Sequence, residues 1–383
     1  MNRTRRTVLV AHPSSELYGS DRVLLESVTA LVDDGWDVVV TVPDDGPLLP
    51  EVVARGARVR RCAAPVVRKS ALRPLGFVRF VGTAVRGLVD GMRMLRQERP
   101  ALVYVNTVTV PLWIGLGRLA RVPVLCHVHE GESSASPLLR RILALPLLLA
   151  NTIVANSRFS VGVLGGSFPS LERRAEVVYN AVPGPPERTP VRASIDGDLR
   201  VTYIGRLSPR KGVDVAIDAI AELDRRGVPA TLDLVGAVFP GYEWYETALR
   251  EQVEKKKLGD RVSFRGFQPS VWEYVHGGDV VLVPSRADEP FGNTAVEAIL
   301  SGRPVIASAT SGLLEATAGY ATATTVVPGS SDSLADALVG TIADWEDTRA
   351  NVGSDAEAAE RRHSPDAYRR RIAAIVRGNA RTR

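Results

Sequence analysis

A chain of 383 residues, 45% hydrophobic and 24% charged, is too long for one ordinary core, so two domains are expected. Two cysteines, Cys62 and Cys126, are too few and too far apart for a disulfide framework or a zinc cluster. The apolar run Val8–Ala11 is too short for a signal-peptide core. Ile142–Ala155, interrupted by Pro146 and Asn151, falls short of the roughly 18–20 apolar residues that a membrane span needs, so a cytosolic protein is the reading.

In chain order, short β-branched runs alternate with longer amphipathic segments. "TVLVAHP" reads as a strand, "DRVLLESVTALVDDG" as a helix closed by glycine, and "WDVVVTVP" as a second strand. "ARVRRC", "ALVYVN", "VPVLCHVH", "NTIVANS" and "AEVVYN" continue the series. Such unalternated apolar runs suit strands buried on both faces of a parallel sheet, hence a doubly wound α/β domain over residues 1–183. "AVPGPPERTPVRASIDGD" reads as a linker. The alternation then restarts with "LRVTYIG", a helix from Arg210, "ATLDLVG", a helix around Tyr245–Lys257, "RVSFRG", "DVVLVPS", a helix from Asn293 and "RPVIAS". That predicts a second α/β domain over 184–364, with a last amphipathic helix in "SPDAYRRRIAAIVRG". Two such domains joined by a hinge would leave a deep cleft, with the informative residues at the carboxyl ends of strands.

Two loops at such ends carry chemistry. In "RLSPRKG", Arg206 follows a strand and Lys211 precedes a helix body. Two cations beside a positive helix N-terminus suit a pyrophosphate, although a solvated basic turn looks the same in sequence. In "RADEPFGNTAVEAILSGRPVIAS", Gly292 lets a ligand approach the backbone, and the amides of Asn293 and Thr294 can face an anion. Glu297, one turn into the helix, could equally serve as dipole compensation, a reading that explains Glu289, ahead of the helix, poorly. Carboxylates accept bidentately from vicinal hydroxyls, so two acids flanking an amide-lined turn suit a sugar nucleotide.

These stretches resemble the retaining glycosyltransferases of family 4. "EPFGNTAVE" is similar to the family's Glu–seven residues–Glu motif, "GRLSPRKG" to its donor-phosphate motif, and "NAV" at Asn180–Val182 to its Asn-Gly-Val, with Ala181 in place of glycine. "SGRPVIAS" and "SGLLE" resemble the strand and loop that follow the second glutamate, and the likeness runs from Val8 to about Val376. It implies a GT-B fold: two Rossmann-like domains facing across a deep cleft, with the C-terminal helix, 365–383, crossing back to the first. The resemblance further implies that Glu289 contacts the donor sugar near its anomeric centre and that Glu297 binds the ribose. The amides of Phe291, Gly292, Asn293 and Thr294 would hold sugar hydroxyls and phosphate, and Arg206 and Lys211 would neutralise the leaving diphosphate. No Asp-x-Asp motif of the kind that holds a divalent ion appears, so no metal and no cofactor are expected. A phosphorylase on the same fold would need a late pyridoxal-phosphate lysine, and none follows Lys257. A nucleotide-sugar epimerase and a non-catalytic basic α/β protein also compete with the transferase reading. Nucleic acid is not expected, because no aromatic stacking patch interleaves the arginines.

The first domain adds two elements. "SELYGSDR" resembles the family's Gly-Gly loop toward the diphosphate or acceptor. Here only Gly19 remains, because Tyr18 stands at the first glycine, and Gly19 with Ser20 is the part of the loop expected at the diphosphate or acceptor. "LCHVHEG" holds His127 and His129 on a strand. They are read as pointing to opposite faces, which disfavours joint metal binding. His129 resembles the family's active-site histidine; a strand-end histidine in a plain hydrogen bond would look the same.

The charge is uneven. The chain carries +5, yet residues 51–100 hold 12 Lys/Arg against 3 Asp/Glu, a local +9 that points to an anionic partner. Within that segment Val78, Val81, Val85, Leu88, Met92 and Leu95 form one helical stripe, and Arg79, Arg86 and Arg93 a basic row beside it, with Phe77 and Phe80 as aromatic surface. Either the stripe lies on the sheet with its arginines in water, or the row faces an anionic membrane or a lipid-linked, phosphate-bearing acceptor. The second reading would make the protein peripheral to the inner face of the membrane.

Overall fold

The computed structural model describes residues 6–17, 19–66, 74–131, 133, 135–239 and 241–381, and for 74–80 the helical backbone alone. The chain divides into two compact units, Met1–Ala181 with Pro365–Arg383, and Val182–Ser364.

Among the described residues the first unit has seven strands: β1 (Thr7–Ala11), β2 (Asp37–Val42), β3 (Arg58–Arg61), β4 (Leu102–Val105), β5 (Val124–Val128), β6 (Thr152–Ala155) and β7 (Ala175–Val177). They form one parallel sheet in the order β3-β2-β1-β4-β5-β6-β7. Between the strands run α1 (Gly19–Asp33), α2 (Leu48–Ala54), α3 (Pro74–Glu98), α4 (Leu112–Leu119), α5 (Pro137–Ala144), α6 (Arg158–Ser167) and α7 (Pro169–Arg174), with a 3-10 turn at Leu145–Leu149. The sheet is covered on both faces. Val8, Val10, Tyr104 and Leu125 join the core on the α1 and α2 side. Leu9, Ala11, Val103, Val105 and Cys126 join the core that holds Trp113, Ile114 and Leu116 of α4. This double burial is why the strands read as unbroken apolar runs.

The second unit repeats the plan with β8 (Leu199–Ile204), β9 (Ala230–Val235), β10 (Val262–Gly266), β11 (Val280–Val283), β12 (Val305–Ser308) and β13 (Ala323–Val326). Their order is β10-β9-β8-β11-β12-β13, again parallel. Its helices are α8 (Val213–Arg225), α9 (Glu243–Lys255), α10 (Trp272–Gly277), α11 (Asn293–Leu300), α12 (Ser311–Thr317), α13 (Ser331–Ala343) and α14 (Trp345–His363). The Pro-rich linker is strapped to this unit. Arg192 Nε donates to Asp279 at 2.7 Å, and Trp345 Nε1 donates to the Arg192 carbonyl at 3.1 Å. Arg303, buried, donates to the Thr189 carbonyl at 2.9 Å.

The final helix, α15 (Pro365–Asn379), returns to the first unit. Tyr368, Ile372, Ile375 and Val376 enter the core beside Val23, Leu24 and Leu31 of α1. Ser27 Oγ and Tyr368 OH lie 2.6 Å apart, and Arg369 pairs with Glu26 at 2.6 Å. The spacing of the apolar residues demanded a surface to bury against, and α1 supplies it.

Helix α3 departs from the stripe-on-sheet reading. Val81, Val85, Leu88 and Val89 face outward, at 43–59% exposure, while Gly87, Gly91, Met94 and Leu95 face inward. Close approach decides this. A Cβ on Gly87 would sit 2.9 Å from Leu112 Cδ2, and one on Gly91 2.5 Å from Leu116 Cδ1, so α4 packs where the glycines leave room. The aromatic surface at Phe77 and Phe80, and the side chains of Val78 and Arg79, lie outside the described residues, as does Tyr18.

Candidate functional site

The residues singled out in the second unit fall at the carboxyl ends of β8 and β11, where the winding of the sheet reverses. Ligands of open α/β sheets bind at such a switch point. After β8, Tyr203 OH donates to the Arg206 carbonyl at 2.7 Å, and the Arg206 guanidinium lies 3.4 Å from the centroid of the Phe239 ring. The helix expected from Arg210 begins instead at Val213, behind a short 3-10 turn, Pro209–Lys211. Gly212 joins the two with φ of +68°, and a Cβ there would meet the Pro284 carbonyl oxygen at 1.9 Å. That contact fixes where Lys211 emerges. Its Nζ lies 2.8 Å from Glu289 Oε1, with Lys211 29% and Glu289 10% exposed at the side chain.

Glu289 is held at both ends. Ser285 Oγ donates to the same Oε1 at 2.9 Å. The Glu289 N–H donates to Ser311 Oγ at 2.9 Å, and the Glu289 carbonyl accepts from Gly312 N–H at 2.9 Å. Sequence reasoning passed over Ser285 and Ser311; the signal was their place at the end of β11 and the head of α12. Phe291 is buried, its ring 5.5 Å from that of His363 in an edge-to-face contact. Gly292, at φ +117°, caps α11, and its carbonyl accepts from Ala295 and Val296 N–H. Asn293 and Thr294 head the helix, and Glu297 follows on a half-buried position while Val296, Ile299 and Leu300 face the core. The unit thus brings Lys211, Glu289 and the α11 N-terminus together around one turn. Electrostatically, it pairs a cation with a helix N-terminus, both attractive to an anion.

In the first unit Gly19 and Ser20 open α1 and are exposed. His129 lies one residue past β5 and is buried, with Nε2 3.0 Å from Asn106 Oδ1. His127 and His129 do not point to opposite faces: their ring centroids are 4.1 Å apart. Positions two apart on a strand share a face, which the expectation inverted. Burial lowers the His127 pKa to about 3 and holds His129 well below the ordinary imidazole range, aided by His127 and His12, so both rings are neutral near pH 7. Among the described residues no cluster of three or more His, Cys, Asp or Glu is placed to hold a metal ion. Glu130, next in sequence, accepts from Thr107 Oγ1 and from the His129 N–H, and burial raises its carboxyl.

Two doubly wound parallel sheets and a returning C-terminal helix define the GT-B class. Residues 18–207 match the model of the glycosyl transferase 4-like domain, and residues 187–359 that of the glycosyl transferases group 1. The chain belongs to the GT-B glycosyltransferases of family 4. It is 35% identical over 159 residues to a D-inositol 3-phosphate glycosyltransferase of Corynebacterium glutamicum, covering 41% of this chain and 38% of that one. It is 28% identical over 314 residues to the 2-deoxystreptamine glucosyltransferase of Streptomyces kanamyceticus, covering 73% and 80%. The chain thus spans well under half the length of the first of these relatives. In structure it is similar to Anabaena HepE in complex with UDP-glucose (TM-score 0.79, 23% identity, 97% and 99% covered). It is also similar to a sucrose-phosphate synthase of Thermosynechococcus elongatus (TM-score 0.78, 20% identity, 98% and 99% covered).

Proposed function

We propose that this protein moves a hexosyl unit from a nucleoside-diphosphate sugar to an acceptor hydroxyl, with retention at the anomeric carbon and without a metal. The observation that carries the reading is the Lys211–Glu289 pair, at 2.8 Å, beside the N-terminus of α11. In this reading Lys211, Arg206 and the amides of Asn293 and Thr294 stabilise the departing diphosphate electrostatically. Phe291 and Gly292 shape the turn that carries those amides. Glu297 accepts from the ribose hydroxyls, and Glu289 and His129 contact the transferred sugar. The bond from C1 to the diphosphate oxygen breaks, the acceptor oxygen bonds C1 on the same face, and its proton leaves with the diphosphate. Gly19 and Ser20, at the head of α1, serve the diphosphate or acceptor.

The test is a matrix of nucleotide sugars against acceptors, with the anomeric configuration of the product read by NMR. Cyclitols and cyclitol phosphates come first, because two relatives are named for such acceptors. Retention, and turnover undiminished by a chelator, are expected. An inverted product, or activity abolished by the chelator and restored by magnesium, overturns the mechanism.

The acceptor side extends to an anionic lipid surface. Val81, Val85, Leu88 and Val89 present apolar area outward on α3 beside exposed Arg86 and Arg93. Among the described residues no helix is long and apolar enough to cross a membrane, so attachment here would be peripheral. Each arginine near an anionic leaflet contributes about 1 kcal/mol. Sedimentation with anionic but not neutral vesicles is expected, and it should be lost in the R86E/R93E variant. A wild type that stays in the supernatant with both at low salt removes this part of the reading.

A further inference from the structure

Three strands that lie side by side in the first sheet end in polar residues that turn inward. His12 follows β1, Asn106 follows β4 and His129 follows β5. The winding of the sheet reverses between β1 and β4, so this row stands at the switch point of the first unit. A fourth residue, Asp21, joins it from the first turn of α1. All are buried: His12 at 3%, Asp21 at 2%, Asn106 at 1% and His129 at 9% exposure.

The row is bonded end to end. His12 Nε2 lies 2.7 Å from Asp21 Oδ1, His12 Nδ1 3.1 Å from Asn106 Nδ2, and Asn106 Oδ1 3.0 Å from His129 Nε2. The direction of these bonds follows from one end. A carboxylate only accepts, so His12 carries its proton on Nε2 and donates it to Asp21. Asn106 presents its amide nitrogen, which can only donate, to His12 Nδ1, so that nitrogen is bare and accepts from the Asn106 N–H. That orientation turns the Asn106 carbonyl oxygen toward His129, where it accepts from Nε2–H. His129 is left with a bare lone pair on Nδ1, and this buried nitrogen has no hydrogen-bond partner. A buried polar atom without a partner is costly in a folded protein and calls for a ligand or a role.

We propose that Asp21, acting through His12 and Asn106, is the positioning residue that fixes His129 in its Nε2–H tautomer and keeps Nδ1 as a bare acceptor for a hydroxyl of the bound sugar. The functional half rests on the reading of His129 as a donor-sugar residue; the tautomer does not. An acceptor edge selects a hydroxyl, which can donate, and rejects a phosphate oxygen, which cannot. The neutral state of the ring, kept by burial among His12 and His127, fits that role. Without the carboxylate at the far end, either direction of bonding along the row would be equally good.

The whole chain, labelled with 15N-histidine, tests this directly. It has five histidines, so substituting His12, His127 and His129 in turn by glutamine assigns the signals that matter. Long-range proton–nitrogen spectra should show both His12 and His129 as Nε2–H with bare Nδ1. A His129 protonated on Nδ1 in the wild type overturns the proposal, whatever any variant does. Asp21→Asn supplies both a donor and an acceptor at the end of the row. His129 should then lose its single tautomer, and kcat should fall about 10- to 100-fold, with the nucleoside diphosphate bound as before. Asp21→Glu should restore both. A His129 that stays Nε2–H with unchanged kcat in the asparagine variant refutes the role of Asp21. Should no nucleotide sugar be turned over by the wild type, the functional reading fails, while the spectra still decide the tautomer.

Discussion

Lys211 offers the sharpest test of the donor site, because its ion pair has two possible purposes. It could hold Glu289 in place, or it could be held by Glu289 for a diphosphate. Replacing Lys211 by alanine removes a charge-assisted contact worth about 1.5–3 kcal/mol, a loss of about 10- to 150-fold in nucleoside-diphosphate affinity. It also leaves Glu289, 10% exposed, with Ser285 as the remaining partner of Oε1. Breaking a fully buried pair costs about 3–5 kcal/mol, but Lys211 keeps 29% of its side chain in water, so a stability loss of about 1–2 kcal/mol is expected. Calorimetry with UDP, GDP and ADP reads the affinity, and urea unfolding reads the stability. The decisive comparison is K211A made in the E289A background. If Lys211 serves the diphosphate, the affinity loss persists there while the stability loss disappears. If both effects vanish with Glu289 gone, the lysine is only a strut for the glutamate and the donor-site assignment is wrong.

Three further outcomes are expected. A chain ending at Ser364 should not fold its first unit, because Tyr368, Ile372, Ile375 and Val376 are lost from the core. At about 1.5–3 kcal/mol each their sum rivals a whole domain's stability, and a soluble, cooperative melt of that chain would contradict this. Arg303→Ala should cost about 3 kcal/mol or more by denaturant unfolding, since the buried guanidinium serves the carbonyls of Gly278, Thr189 and His276; a loss under 1 kcal/mol would refute it. His127 has its pKa lowered to about 3, below the ordinary imidazole value of about 6.5, so the unfolded chain binds more protons between those values. Its contribution is therefore complete above about pH 6.5 and declines as pH falls toward 3, at up to about 1.4 kcal/mol per pH unit. His127→Gln should flatten that slope in chemical unfolding from pH 7 to 4, and an unchanged slope would show the ring is not buried neutral.

The alternation of apolar runs and amphipathic segments was enough to place both doubly wound sheets and the last helix, because strands covered on two faces leave a continuous apolar signature. The turn around Gly292 was legible for a related reason: Gly292 and the two glutamates sit within one loop and one helical turn, so local spacing carries their geometry. Where the outcome depended on a neighbour, the sequence by itself left it open or misled. In α3 the valine stripe and the glycine pair Gly87 and Gly91 are both periodic, and the approach of Leu112 and Leu116 from α4 decided which face went in. His127 and His129 needed only the two-residue period of a strand, applied with the right sign, to be placed together. The row from Asp21 to His129 is different in kind. His12 and Asn106 are separated by 94 residues, and nothing near either predicts the other. They meet because β4 pairs with β1 on the side opposite β2. Strand order is set by how helices of given length and face pack across the whole sheet, and no local stretch of sequence encodes it. The glycine turn and flanking acids of the second unit were therefore written along the chain, while the polar row of the first exists only once the sheet is assembled.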